Sequence, residues 1–549
     1  MIGSFLSRGV ERPVVIPATY EETLDQALCR VGDPFLIVER EGSHALLEWD
    51  LAAWDGPLGG DRVAGVLPSC RPEDLGDVSF REAHRLRFPY VAGAMANGIA
   101  SAEIVEAMGR AGMLGIFGAA GLPLAAVEAA IDRLERTLGP SIPYGFNLIH
   151  SPNEPELEAA VVALYLRRGV KLVEASAYLD LTLPVVRYRV HGLRLDGAGQ
   201  VVAPNRIIAK VSRVEVASKF LAPPPAKFLR ELVASGEITS EQATWAARIP
   251  MADDVTAEAD SGGHTDNQPA IVLLPTMLAL RDRMQAEHNY DRPLRIGAAG
   301  GISSPWSAAG ALAMGAAYLV TGSVNQACVE AGTSDPVRKM LAEARQADIA
   351  MAPAADMFEM GVKVQVLKRG TMFAMRAGKL FEFYRGYDAI EQIPAADRAM
   401  LEKNFFRAPL DTIWDQTRAY FQTRDPAQIE RGTRDPKHKM ALIFRWYLGQ
   451  SSHWANAGEP TRAVDYQIWC GPAMAAFNDW VRGSFLERAE NRRVVTVALN
   501  ILYGAAVLTR ARGLGGQGIA IPAGTPRLVP LELPELEERL NIPVARERA

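Results

Sequence analysis

The sequence predicts an α/β chain built on a (β/α)8 TIM barrel, with a small amino-terminal α+β region and a large helical insertion or lid after strand eight. Three observations lead there. Short apolar runs alternate with helix-periodic segments from Phe88 to Ser323, as in a parallel sheet with helical crossovers. The last two of these runs end in glycine clusters, IGAAGGI at 296–302 and LVTGS at 319–323. In such a barrel the loops after strands seven and eight build a phosphate site. One strand earlier, DDVTAEADSGGHTDN at 253–267 has the pattern of a strand opening into a ligand-approaching loop that carries a histidine.

Taken in order, residues 1–86 read as an α+β appendage, in which the strand-like runs PFLIVER and HALLEW are broken by Gly, Pro and Asp, and 20–30 is the longest helical stretch. The barrel follows over 87–334. Its strands are expected at 90–95, 113–118, 144–149, 172–176, 206–211, 255–260, 294–299 and 317–322. Helices fall between them, such as 102–111 with Ile104, Val105 and Met108 on one face, and 154–168 with Asn153 as N-cap. After Ser323 the alternation stops. Residues 335–490 read as a helix-rich lid or substrate domain with aromatic runs such as FRWYLGQSSHWANAG and DYQIWCGPAMAAFNDWV. Within 491–549, RRVVTVALNILYGAAVLTRAR reads as a final helix that returns to pack on the barrel, and the Gly- and Pro-rich remainder as a peripheral arm.

Composition narrows the function. At 549 residues the chain exceeds the roughly 250 typical of one barrel, which requires a second region. A net charge of -5 makes no general case for a nucleic-acid partner or an anionic membrane. Cys29, Cys70, Cys328 and Cys470 lie far apart without a CxxC pair, so neither a metal site nor a disulfide framework is expected. The start lacks the pattern of a signal peptide, and the longest apolar stretch, 494–508, is expected to be too short to span a bilayer, so a cytoplasmic protein is expected. GLGGQG at 513–518 fits GxGxxG literally, but it follows a helix and leaves no room for a βαβ unit.

The chemistry gathers at the strand ends. Gly300 and Gly301 let backbone amides approach a phosphate, and the helix opening near Ser303, Ser304 and Pro305 adds amides and a favourable dipole. Gly322 and Ser323 complete the cradle from the next strand. Singly, each glycine pair is also what a tight βα turn requires. A phosphate held there lays the rest of a mononucleotide across the mouth, and flavin mononucleotide (FMN) fits. Its ring wants small neighbours, hydrogen-bond partners at the pyrimidine edge and a cation near N1. Ala94 and Met95 after strand one, Asn147 on strand three and Lys210 on strand five supply those types. A buried ammonium needs a partner, so Lys210 reads either as that cation or as half of an ion pair with Glu174 or Glu258. His264, preceded by Gly262 and Gly263, is the catalytic candidate, able to donate to a carbonyl, to supply a proton or to hydrogen-bond the cofactor. Cys328 has no base nearby and reads as a packed thiol.

The segments VAGAMANGIAS, YGFNLIHSPNEPELE, ADDVTAEADSGGHTDN, RIGAAGGISSPWSAAGALAMGAAYLVTGSVNQA, MAPAADMFEMGVKVQVLKRGT, RWYLGQSSHWA and DYQIWCGPAMAAFN resemble the PfaD family, over roughly 88–508. That family comprises trans-acting, flavin-dependent enoyl reductases of polyunsaturated fatty acid and polyketide synthases, similar in the barrel to nitronate monooxygenases. The resemblance places the family's GGH motif on Gly262, Gly263 and His264, and its phosphate loops on 299–302 and on Gly322 and Ser323. Its strand-three asparagine falls on Asn147. It implies FMN, NADPH as reductant, and hydride delivery to the β-carbon of an enoyl thioester on an acyl carrier protein. His264 would then serve the thioester oxygen, the α-carbon or both. Asp260 and Ser261 depart from the EA that often precedes GGH in the broader superfamily, which favours the reductase branch. Lys437, Lys439 and Arg445 are candidates to receive the acidic carrier, and each also reads as part of a solvated face. The alternatives are a nitronate monooxygenase, whose small substrate would not require the long helical excursion, and a non-catalytic FMN-binding scaffold. A homodimer is left open.

Overall fold

Eight short parallel strands close into a barrel: β1 (Tyr90–Ala92), β2 (Leu114–Phe117), β3 (Gly145–Ile149), β4 (Leu172–Ser176), β5 (Arg206–Val211), β6 (Asp254–Glu258), β7 (Arg295–Ala299) and β8 (Leu319–Thr321). Each strand pairs with its sequence neighbours, and β8 pairs with β1 to complete the ring. The expected (β/α)8 class is therefore the observed one. The computed structural model describes residues 20–40, 43–48, 62–150 and 155–542. The proposed cap Asn153 lies outside the described residues, just before the helix Pro155–Arg168.

Strand side chains alternate between the barrel interior and the helical shell. Val91, Leu114, Ile116, Leu172, Ile208 and Val320 form the apolar interior, whereas Phe146, Leu148, Val173 and Ala209 belong to the outer core against the helices. The amino-terminal end of the barrel is plugged by the helix Val78–His84, which falls within the stretch expected to be a separate appendage. Phe80 stacks on Tyr318 with ring centroids 4.0 Å apart. Asp254 accepts from Arg295 Nε at 2.6 Å and lies 2.8 Å from His84 Nε2. Burial alone would raise the Asp254 carboxyl, but Arg295 and His84 outweigh it and hold the group well below the usual carboxylate range. This closes one end of the barrel and leaves the other as the mouth.

The amino-terminal helix Tyr20–Cys29 and the antiparallel sheet of Phe35–Arg40, Ser43–Glu48 and Arg62–Leu67 pack against the long helix Val494–Gly516. Arg510 is buried there and donates to the carbonyls of Ala27 (2.9 Å), Leu28 (3.1 Å), Arg30 (2.5 Å) and Asp33 (2.6 Å). The stretch 494–508 is thus part of a 23-residue helix, long and apolar enough by length and composition to cross a membrane; 89% of its most apolar window is buried inside the protein. Gly513 to Gly516 form its last turn, so no strand precedes the GLGGQG run.

The segment after β8 is helical but not wholly so. Two strands, Ile349–Pro353 and Lys363–Leu367, pair antiparallel and accept Gly263–His264 as a third. The pairing of Gly263 and His264 with Gln365 and Val364 spans about a hundred residues of sequence, which periodicity within a window cannot register. Helices Phe373–Gly386, Leu410–Arg424 and Pro436–Ala457 build a separate core around Phe358, Phe383, Phe406, Phe444 and Tyr447. Asp465, fully buried, accepts from Tyr447 Oη at 2.7 Å and pairs with Arg376, Arg407 and Arg462.

Candidate functional site

The floor of the mouth is a charged row produced by strand stagger. Asn147 on β3 is in register with Glu174 on β4, which is in register with Ile208 on β5, and Lys210 on β5 is in register with Thr256 on β6. Period two therefore lifts Lys210 one pleat above Glu174 and puts Glu258 one pleat above Thr256. Lys210 Nζ lies 3.1 Å from Glu258 Oε1 and 4.0 Å from Glu174 Oε2. Burial pulls the Lys210 ammonium down, yet the two carboxylates dominate and hold it above its ordinary value. Burial raises Glu174, and the opposing pull of Lys210 and the Ala94 amide leaves it above the ordinary value. The Ala94 N–H donates to Glu174 Oε2 at 3.1 Å, whereas Glu174 Oε1 is buried without a hydrogen-bond partner. Asn147 Nδ2 donates to Glu174 O and Ser176 Oγ, both at 3.1 Å. Of the two sequence readings of Lys210, the ion pair is the one observed, and it is made with both Glu258 and Glu174.

The rim over β7 and β8 carries the glycine turns. Gly300 has φ +79°, and a Cβ there would meet Ala259 O at 2.4 Å, so no other residue fits. Gly301 has φ +76° with nothing within 4 Å of its Cβ position. The amides of Ser303 and Ser304, expected to face a phosphate, each donate to Ser307 Oγ at 3.0 Å. The exposed Gly301 backbone is the part of this turn open to a ligand. Gly322 and Ser323 follow β8 at the start of the short helix Ser323–Gln326, and the Met95 side chain lies 3.9 Å from a Cβ built on Gly322. Ala94, Met95, Gly322 and Ser323 are partly buried. Cys328 is buried, its thiol donating to Val324 O at 3.4 Å, and burial pushes it well above its ordinary value.

His264 sits where barrel and insertion meet. Gly263 and His264 pair with Gln365 and Val364, and Gly263 has φ +82°. A Cβ on Gly262 would come within 2.9 Å of Gly471 N, so Gly262 is required by the Cys470–Gly471 backbone lying against it. Asp260 holds the loop from within: it accepts from Thr265 Oγ1 (3.0 Å), Asn267 Nδ2 (2.9 Å) and Gln365 Nε2 (2.7 Å). Asn97, after β1, reaches Ser452 of the insertion at 3.4 Å. His264 Nε2 lies 3.1 Å from Asp356 Oδ1, in the turn joining the two insertion strands, and its side chain is 48% exposed. Partial burial pulls the imidazole down, but Asp356 and the charge of Glu258 outweigh it and raise its proton affinity above the ordinary value.

Sequence reasoning missed Asp356 altogether. MAPAADMFEM lies in a segment that carries the family resemblance, but neither its periodicity nor that resemblance assigns its aspartate a role, and the residue acquires a meaning only through the strand pairing. Lys437, Lys439 and Arg445 each have partners inside the insertion: Lys437 donates to Tyr387 O at 2.6 Å, Lys439 lies 3.7 Å from Glu391 and Arg445 3.4 Å from Glu359.

Comparison with known proteins bears on this arrangement. The nitronate monooxygenase family profile matches residues 79–377, and that of the inserted helical domain of [acyl-carrier-protein] S-malonyltransferase matches 387–466. A polyunsaturated fatty acid synthase component of Thraustochytrium sp. is 51% identical over 458 residues, covering 82% of this chain and 30% of that protein. Polyketide biosynthesis protein PksE of Bacillus subtilis is 46% identical over 440 residues, covering 80% of this chain and 57% of that protein. The chain thus spans less than two thirds of the length of these curated relatives. The crystal structure of the enoyl reductase domain of MlnA, from the macrolactin biosynthesis cluster of Bacillus amyloliquefaciens, is 42% identical with a TM-score of 0.77, over 80% of this chain and 99% of that one.

Proposed function

We propose that this chain, which belongs to the nitronate monooxygenase family and within it to the PfaD-like enoyl reductases, reduces the α,β-double bond of enoyl thioesters carried on an acyl carrier protein, with FMN as bound cofactor and NADPH as reductant, during polyketide or polyunsaturated fatty acid synthesis. The observation that carries this reading is the mouth itself, where Glu258 links the charged floor at Lys210 to His264 at the seam with the insertion, and the glycine turn after β7 packs against Ala259 at the end of β6.

The residues fit a flavin on three counts. Gly301 offers exposed backbone at positive φ on the phosphate side, Lys210 offers a charge held in place from two sides, and Glu174 Oε1 is a buried acceptor awaiting a donor. Gly300, Gly301, Gly322 and Ser323 would hold the phosphate, and Ala94, Met95, Asn147 and Lys210 the ring, with Gly262 and Gly263 shaping the loop over it. Bound there, FMN supplies the two-electron chemistry shared by a nicotinamide and an enoyl thioester. Negative charge grows on the thioester oxygen as the β-carbon is reduced, and a donor aimed at that oxygen lowers the barrier. His264, with Asp356 and Glu258 favouring its charged form, is suited to stabilise that oxygen or to protonate the α-carbon. The insertion meets the mouth along the pairing of Gly263 and His264 with Gln365 and Val364.

Anaerobic mixing with NADPH tests the reading. Visible absorption of a bound flavin should bleach, and recover on adding an enoyl thioester. A flavin that ignores NADPH and bleaches with a nitronate supports the monooxygenase, and protein without flavin refutes both.

A further inference from the structure

Beside the Asp260–Gln365 and Asn97–Ser452 hydrogen bonds, a pair of ionisable side chains crosses from barrel to insertion. His264 comes from the loop after β6, and Asp356 from the turn between the strands Ile349–Pro353 and Lys363–Leu367. Those strands are in register with His264 itself, through its pairing with Val364, so backbone geometry as well as side-chain reach brings the carboxylate to the ring. We propose that Asp356 is the positioning residue of His264, so that the insertion sets the ring's orientation and its capacity to carry a proton, and the acid is assembled only while the insertion is docked on the barrel.

Four features support this. Docking is enforced beside the pair, by Gln365 on Asp260 and by the close approach of Gly471 to Gly262. Asp356 uses Oδ1 on His264 Nε2, which leaves Nδ1 to address a substrate. The charges facing the ring are accounted for element by element. From β6 and its loop come Glu258, Asp260, which is occupied by Thr265, Asn267 and Gln365, and Asp266, which is occupied by Ser212 and Arg213. From the insertion come Asp356 and, three residues on, Glu359 paired with Arg445, whose charge also acts on Asp356. Asp356 is therefore the carboxylate in direct contact with the imidazole, and it comes from the insertion, whereas the imidazole comes from the barrel. With side chains 48% and 59% exposed, the pair contributes little to stability, so its effect falls on the chemistry.

On the reductase reading, on which this inference rests for its substrate, the test is Asp356→Asn beside Asp356→Glu and His264→Gln in the full-length holoprotein. Titration of the His264 ring followed by NMR, its signal assigned by its loss in His264→Gln, reads the pair without any assumption about substrate. Its midpoint should fall in Asp356→Asn and return in Asp356→Glu. In stopped flow, flavin reduction by NADPH should be unchanged in Asp356→Asn. Reoxidation by crotonyl-pantetheine should lose its basic limb at lower pH and slow about tenfold above neutrality, with recovery in Asp356→Glu. An unmoved NMR midpoint, or a pH profile that superimposes on that of the unsubstituted protein, overturns the proposal. A wild-type flavin that crotonyl-pantetheine does not reoxidise refutes the reductase reading instead, and the NMR midpoint still decides the pair.

Discussion

At the scale of single residues, two buried carboxylate clusters do opposite work. Asp254 at the plugged end is bound by Arg295 and His84, and its pKa is depressed. Its stabilisation is present in full above the unfolded value near pH 3.9 and is lost only as pH falls through the much lower folded value. Asp254→Asn should therefore lower stability by about 3–5 kcal/mol at pH 7, measured by denaturant unfolding, with the gap to the unsubstituted protein closing only in strong acid. At the mouth, Lys210 separates Glu174 from Glu258. Lys210→Met leaves the two acids without their cation. We expect reduced flavin content after purification together with a loss of about 3 kcal/mol; full flavin occupancy with unchanged stability would show that Lys210 has neither role.

At the scale of elements, the seam between the β6 loop and the 469–471 segment depends on the absence of side chains. Gly262→Ala drives a methyl into the Gly471 amide at 2.9 Å and should lift the insertion from the loop that carries His264. The expected result is retained flavin and retained reduction by NADPH, with turnover of an enoyl thioester down about a hundredfold. Limited proteolysis should cut between 335 and 490 faster in this variant. The pH dependence of the same seam follows from His264, whose folded pKa is raised. The pair's contribution is present below the unfolded value near 6.5 and fades as pH rises through the folded one. Protection of the insertion from protease should accordingly decline somewhat on the alkaline side, by a free energy below about 1 kcal/mol for so exposed a pair.

Across the whole molecule, the described amino-terminal region meets the long carboxy-terminal helix. Arg510 on the long carboxy-terminal helix closes the end of the first helix by donating to four carbonyls in its last turn and just beyond it, and the Gln517 side chain exchanges hydrogen bonds with both backbone groups of Val66 (2.8 and 2.9 Å). The amino-terminal region, chemically silent in the sequence, is thereby clamped to a helix that packs on the barrel. Arg510→Met should remove about 3 kcal/mol and release the amino-terminal sheet to protease before the barrel unfolds, with flavin binding unaffected at moderate temperature.

Much of this was legible from the chain itself. The eight strands, the glycine turns after β7 and β8, the histidine after β6 and the returning apolar helix all declare themselves through patterns shorter than about 20 residues, the range over which backbone periodicity and turn chemistry act. Tertiary structure alone decided which groups meet. The stagger of the strands set Lys210 between Glu174 and Glu258, the Cys470–Gly471 backbone required Gly262, and a strand nearly a hundred residues downstream delivered Asp356 to His264. The physical reason is that contacts between remote segments depend on register and on the docking of separately built cores, and neither leaves a local trace in the order of residues.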